Sequence, residues 1–143
     1  MEIKDIKKWF EIAIPEPTTE QACIQIGCHY EEVAEMAEAL GDDEAQHSLE
    51  VTAYDYKSVI DWCYDTAEGC RKVELLDSLC DQIVTAIGVA HMLGMDIEGA
   101  LAEVNASNHS KFEDGKAVFD ENGEIKKGVH YRGPVLGKFI GGE

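Results

Sequence analysis

The sequence predicts an all-α fold: a four- to five-helix bundle followed by a short irregular or hairpin C-terminal tail. Apolar residues recur at helical spacing through long segments, and capping residues, glycines and prolines stand at the ends of those segments. The chain has 143 residues, 45% of them hydrophobic, which is enough for one compact core. We expect one domain over residues 1–143, with a helical body at about 18–107 and a tail at about 108–143.

The first long helix is expected to begin at Thr18 or Thr19, because a threonine after Pro15 and Pro17 can cap a helix N-terminus. The stretch EQACIQIGCHYEEVAEMAEAL continues it to Gly41. A glycine at that position is a common helix stop, so the helix is predicted to end there.

Three further segments are predicted to be helical. Residues 45–67 carry apolar side chains at helical spacing and precede Gly69, although this helix could be broken. The segment VELLDSLCDQIVTAIGVAHML, at 73–93, is the most apolar of all. Asp96 can then cap a short helix at 97–105. Beyond it, Asp-Gly and Asn-Gly pairs favour a small hairpin or ordered loop.

The charge balance limits the possible partners. Twenty-nine acidic residues against 12 basic ones give a formal charge of −17, which opposes binding to nucleic acid or to an anionic membrane. The five cysteines form no CxxC pair, so we expect reduced, core-filling thiols in a cytoplasmic protein. No segment is apolar enough to predict a membrane span.

Three carboxylates interrupt the apolar segment at 73–93. Glu74, Asp77 and Asp81 fall on one narrow stripe of the helix, and apolar side chains cover its other faces. A helix of this kind is expected to be packed on several sides, where ionised carboxylates are costly without cations. The alternative is that Glu74 favours the helix N-terminus while both aspartates face water.

A second set of acids lies on the first long helix. Glu32 and Glu35 are one turn apart and border its apolar strip, so they are the expected inward pair, with Glu31 and Glu38 more exposed. Carboxylates on two helices predict a site for Mg²⁺, with Mn²⁺ as a possible substitute. A di-iron site is less favoured, because no histidine follows a glutamate by three residues on these helices.

The ordered set of EEVAE, ELLD, LGMD, EVNASNHSKFEDGK and GEIKKGVHYRGP resembles the MazG-like and phosphoribosyl-ATP pyrophosphohydrolase-like family of all-α nucleoside triphosphate pyrophosphohydrolases. The likeness spans about residues 21–134 and is closest to small stand-alone members, some of them phage-encoded. It implies Mg²⁺-dependent hydrolysis of a (d)NTP to the monophosphate and pyrophosphate, by water attack at the α–β linkage.

The resemblance also implies roles for individual residues. Glu32 and Glu35 match the family's ExxE metal ligands, and Glu31 matches a position proposed to accept the proton of the attacking water. The family's later ExxD motif can be aligned in two ways. Glu74 and Asp77 match it directly. If the motif is instead placed by its distance from LGMD, Asp81 takes the aspartate position and Ser78 takes the glutamate position.

Apart from the resemblance, the amide side chains of Gln25 and Asn105 could read base edges. Asn108, Lys111, Lys127 and Tyr131 are the candidate contacts to the phosphates and the nucleotide, and the alternative for the basic residues is a solvated tail.

The sequence does not indicate which base the nucleotide substrate carries. Tyr30, Tyr56 or Trp62 could stack on it, although aromatic residues at helical spacing are more often core. The substrate could be dGTP, dUTP or another dNTP, for nucleotide pool control. Two alternatives remain: a non-catalytic acidic helical protein that binds a metal or a partner, and a phosphoribosyl-ATP pyrophosphohydrolase. A homodimer or homotetramer is expected, because one small bundle cannot easily cover every apolar face.

Overall fold

The computed structural model describes residues 1–58 and 69–142. Their regular structure is helical: α1 at Ile3–Ala13, α2 at Thr19–Leu40, α3 at Asp43–Ser58, α4 at Lys72–Met92, α5 at Ile97–His109, and a 3₁₀ turn at Gly137–Phe139. No β-strand longer than an isolated bridge occurs in these ranges. The predicted all-α class is therefore confirmed for the described part of the chain.

Helix α1 was not predicted. Ile3, Ile6 and Trp9 recur at three-residue spacing, the pattern of an amphipathic helix, and the Asp5 carboxylate accepts the Glu2 backbone N–H at 2.7 Å. These two signals could have identified α1. The helix ends at Ala13, just before Ile14 and the helix-breaking Pro15.

The predicted caps of α2 are confirmed. Thr18 Oγ1 accepts the Gln21 backbone N–H at 3.2 Å, and Gln21 Oε1 accepts the Thr18 N–H at 2.9 Å, which completes a capping box. At the other end Gly41 takes φ 77°, the left-handed conformation that glycine adopts without strain. Asp42 then begins the connection to α3.

The remaining boundaries differ from the prediction by small amounts. The second predicted helix is described as α3 as far as Ser58, and its expected continuation to Ala67 falls outside the described residues. Helix α5 begins after Asp96, whose Oδ1 accepts the Gly99 N–H at 2.9 Å as predicted, but it runs on to His109 rather than to Asn105. The tail contains the predicted turn, with Phe119 bridged to Ile125 in antiparallel fashion.

Contacts divide the chain into two compact units, one made of residues 1–15 with 71–143 and the other of residues 16–70. In the first unit, α1 packs on α5, and the Trp9 ring stacks on Phe112 with 5.4 Å between centroids. Trp9 is buried and anchors α1 there. The single predicted domain stays a prediction.

The second unit is a helical hairpin of α2 and α3. Small side chains line the buried side of α2, with Cys23, Gly27, Ala34 and Ala37 all buried, and Ala53 is their buried counterpart on α3. Small residues allow two helix backbones to approach closely, and a Cβ on Gly27 would lie 2.8 Å from the Ala53 carbonyl oxygen. Close backbone packing at these small residues therefore helps to hold the hairpin.

The cysteines differ from the expectation in one respect. Cys23 is disulfide-bonded, whereas Cys28, Cys70 and Cys80 keep their thiols. Cys63 lies outside the described residues. The prediction that the cysteines are reduced is therefore wrong at Cys23, because the odd cysteine total and the lack of a CxxC pair carry no information about which residues tertiary packing brings together.

Helix α4 differs most from the expectation that it is packed on several sides. Every side chain from Val73 to Ile87 is exposed in the single chain, and Ala90 is its buried residue. Even Val84, at 65%, and Leu76, at 64%, are largely exposed. The apolar pattern of a helix shows which of its faces could be buried. Whether those faces are covered depends on what packs against the helix.

Candidate functional site

A cleft of about 360 Å³ lies between the two helices of the α2–α3 hairpin. Its side walls carry charged groups and its inner wall contains two buried alanines, Ala34 and Ala53. The residues that line it are Glu31, Ala34, Glu35 and Glu38 from α2 and Glu50, Ala53, Tyr54 and Lys57 from α3. We refer to this as the acidic cleft.

Helical spacing explains which acids share the cleft. Glu31, Glu35 and Glu38 are four and then three residues apart, so at about 100° per residue they lie on one face of α2. Glu50 and Lys57 are seven residues apart and occupy one face of α3 for the same reason. Among the described residues, four carboxylates and one ammonium group therefore line the cleft, a local excess of negative charge.

The ammonium of Lys57 contacts one of these acids. Lys57 Nζ forms an ion pair with Glu31 Oε2 that joins α3 to α2. The Lys57 side chain is only 18% exposed, whereas that of Glu31 is 49% exposed. An ion pair with one partly buried member is screened less by water than a fully exposed pair.

The placement of the α2 glutamates differs from the expected inward pair. Glu31 and Glu38 are exposed, as expected, but Glu35 is exposed as well, so Glu32 and Glu35 do not form an inward pair. Glu31, Glu35 and Glu38 line the acidic cleft. Glu32 is exposed and is not among the lining residues. Sequence reasoning also missed Glu50 and Lys57, although their seven-residue spacing on a predicted helix was a signal that could have found them.

The acidic residues of α4 lie in the other unit. Glu74 is in the first turn of the helix, and Glu74, Asp77 and Asp81 are all exposed. This matches the alternative in which Glu74 favours the helix N-terminus and the two aspartates face water. Their candidacy as metal ligands stays a prediction.

The predicted substrate contacts are divided between the units. Gln25 is an exposed residue of α2, while Asn105 and Asn108 are half-buried on α5. The tail folds back near the end of α5, where the Gly128 N–H donates to the Lys111 carbonyl at 3.2 Å. The same segment holds Tyr131, with Lys127 Nζ 4.9 Å from the centre of its ring. Lys111, Lys127 and Tyr131 therefore belong to one folded-back segment.

Carboxylate oxygens are the ligands that Mg²⁺ and Mn²⁺ prefer, and four glutamates line the acidic cleft. The donor chemistry therefore fits a divalent metal. Across residues 1–58 and 69–142, however, no three acidic, histidine or cysteine side chains come together in a group that could hold an ion. The glutamates line the cleft without converging on one point, so metal binding would require these exposed side chains to rotate.

Tyr30 and Tyr56, two of the candidates for base stacking, stack on each other. Their ring centroids are 5.5 Å apart with an interplanar angle of 14°. Burial, and to a smaller extent the charge of Tyr30, raises the pKa of Tyr56 above its usual 10.0. Trp62, the third candidate, lies outside the described residues.

The raised pKa of Tyr56 predicts a loss of stability in alkali. The folded state favours the neutral phenol of Tyr56. The stabilisation that this phenol gives the folded state is fully present below about pH 10, and it is lost as the pH rises through the pKa of Tyr56 in the folded protein. We expect Tyr56→Phe, which keeps the ring, to reduce the fall of the unfolding midpoint above pH 10. Thermal unfolding followed by circular dichroism checks this, with the exposed Tyr54→Phe as control. An identical alkaline profile for Tyr56→Phe and the unsubstituted protein would contradict it.

The fold and this cleft define an all-α protein with an acidic cleft on a helical hairpin. No described helix combines the length and the apolar character that crossing a bilayer requires. Comparisons with protein-family models, with curated proteins and with solved structures found no match. The function is therefore argued from the residues themselves.

Proposed function

We propose that this protein is a Mg²⁺-dependent nucleoside triphosphate pyrophosphohydrolase that converts a (d)NTP to the (d)NMP and pyrophosphate. The observation that carries the proposal is the acidic cleft, in which Glu31, Glu35 and Glu38 share one face of α2. The resemblance of EEVAE and the later motifs to MazG-like enzymes supports the same activity. A cleft of about 360 Å³ is also large enough to admit a metal-bound polyphosphate.

The residues of α2 would divide the work between them. Glu35, with Glu32 or its cleft neighbours, would hold Mg²⁺, which when bound neutralises phosphate charge and makes a bound water more acidic. Glu31 would accept the proton of the attacking water. Glu74, Asp77 and Asp81 as metal ligands, and Lys111 with Lys127 as phosphate contacts, belong to the other unit and stay predictions.

Pyrophosphate release from a panel of canonical dNTPs and NTPs tests this proposal. Each nucleotide is incubated with Mg²⁺, Mn²⁺ or EDTA, and the products are separated by chromatography. Monophosphate and pyrophosphate that appear only with metal would support the hydrolase and rank the bases. Release of orthophosphate alone, or no turnover of any nucleotide, would reject it.

The exposed apolar side of α4 favours a second candidate, a helical protein whose main role is to bind a partner. Leu76, Ile83, Val84 and Ile87 are between 49% and 65% exposed on this helix. Exposed apolar patches of this kind mark protein–protein contacts. The same nucleotide panel separates the candidates, because a binding protein without catalytic function releases no pyrophosphate.

The α4 surface also leads us to propose that the chain forms a homodimer or homotetramer. Sedimentation velocity is expected to show a species heavier than the 15.8 kDa chain at micromolar concentration. Ile83→Lys should shift it towards monomer, because a buried, unpaired ammonium is costly at an apolar interface. Lys72→Glu, at the exposed start of the same helix, serves as the control for a charge change. A purely monomeric profile of the unsubstituted protein would contradict the proposal.

A further inference from the structure

The end of the chain lies along α5 and runs in the opposite direction. Near the C-terminal end of α5, Ser107 Oγ donates a hydrogen bond to the Arg132 carbonyl at 2.8 Å. Closer to the start of the helix, the Val135 N–H donates to Glu103 Oε1 at 3.2 Å. We refer to residues 132–142, which belong to the same compact unit as α5, as the C-terminal strap.

A single aromatic ring fixes the far end of the strap. A Cβ on Gly99, in the first turn of α5, would lie 2.6 Å from Phe139 Cε1, so the ring occupies space that only a glycine leaves free. The Phe139 carbonyl accepts the Asp96 N–H at 2.8 Å. Gly141, at φ 73°, then passes so close to Gly94 that a Cβ on it would overlap the Gly94 carbonyl. The Phe139 ring at Gly99 therefore acts as a latch.

Little apolar burial holds the strap apart from this ring. Every residue of the strap except Phe139 is exposed, and Val135 and Ile140 are 68% and 59% exposed. The backbone hydrogen bonds of the strap can be exchanged for hydrogen bonds to water at a small net cost. A segment with few buried apolar contacts opens at a lower free energy than the protein as a whole unfolds.

We propose that the C-terminal strap opens and closes on α5 as one unit, with Phe139 as its latch, while the helices stay folded. Opening uncovers one side of α5, where Gly99, Glu103 and Ser107 lie at four-residue spacing. It also releases the segment that follows Tyr131, one of the candidate substrate contacts. The inference goes beyond the proposed function and does not depend on it, because contacts within one unit carry it.

Hydrogen exchange of the full chain, resolved by residue with NMR, tests the strap. The reporters are the N–H groups of Arg132, Val135 and Asp96, because strap contacts protect all three. We expect Phe139→Ala to speed their exchange at least about tenfold and by the same factor, while amides in the middle of α5 keep their rates. Ile140→Ala removes a neighbouring exposed apolar side chain, and its rates should stay within about twofold of those of the unsubstituted protein.

Limited trypsin digestion measures the same opening independently. Cleavage after Arg132, at the start of the strap, requires the strap to leave α5, so it should be faster in Phe139→Ala than in Ile140→Ala. Cleavage after Lys116, an exposed residue outside the strap, is the internal reference in each digest and should not change.

Four outcomes would overturn the inference. Equal exchange and equal cleavage in Phe139→Ala and Ile140→Ala would show that the ring is not a latch. Faster exchange at Asp96 alone, with Arg132 and Val135 unchanged, would show that the strap does not open as a unit. Equal acceleration of the α5 amides would show that the helix unfolds with it. In the unsubstituted protein, strap amides that exchange as slowly as those of α5 would show that the strap opens only on unfolding, a result that needs no variant.

Discussion

Replacing Glu35 by glutamine is expected to lower Mg²⁺-dependent pyrophosphate release by at least about 100-fold, because outer-shell residues of metal sites alone account for 10- to 100-fold effects. Glu35 is the predicted metal ligand that the structure also places in the acidic cleft. Glutamine keeps the size of the side chain but removes the negative charge and replaces one acceptor oxygen by a donor NH₂ group. Initial rates at saturating nucleotide, over a range of Mg²⁺ concentrations, measure the effect.

Glu20→Gln is the matched control for this prediction. Glu20 is an exposed glutamate in the first turn of the same helix, so the substitution makes the same chemical change away from the cleft. Its turnover should stay close to that of the unsubstituted protein. If Glu35→Gln and Glu20→Gln were equally active, the cleft would not be the metal site, and Asp77→Asn combined with Asp81→Asn would show whether α4 supplies the ligands.

Replacing Gly27 by valine should destabilise the α2–α3 hairpin by about 1–3 kcal/mol, the usual range for overpacking of a well-packed interior. A Cβ there would lie 2.5 Å from Lys57 Cγ and 2.8 Å from the backbone oxygen of Ala53. The lysine stem can move aside, but the backbone carbonyl can move only if the helices separate. Valine and glycine differ little in helix propensity, so the effect reports packing. Chemical denaturation followed by circular dichroism measures it.

Gly88→Val provides the comparison for Gly27→Val. A Cβ on Gly88, within α4, meets nothing within 4 Å, so the same substitution there should change the free energy of unfolding by no more than about 0.5 kcal/mol. A Gly27→Val variant as stable as Gly88→Val would falsify the close contact between α2 and α3. Separation of the helices should also weaken the contact between Lys57 and Glu31.

The sequence by itself determined the helical class and most helix ends of the described residues. Thr18, Gly41 and Asp96 were correctly assigned as caps, because capping depends on backbone groups within a few residues of the cap. Helix α1 was not predicted, although the three-residue spacing of Ile3, Ile6 and Trp9 indicates an amphipathic helix. The extension of α5 to His109 was missed because helix ends without a glycine or proline stop are poorly marked locally.

Only the tertiary structure decided which acids lie together. The sequence predicted Glu32 and Glu35 as the inward pair, whereas Glu31, Glu35 and Glu38 line the cleft. The close approach of α3 at Gly27 also brings Lys57 against Glu31. The exposure of α4 was equally beyond the sequence, since an apolar helix carries the same pattern whether it is covered or not. Local sequence sets where helices begin and end, whereas the composition of a site depends on which faces pack against each other.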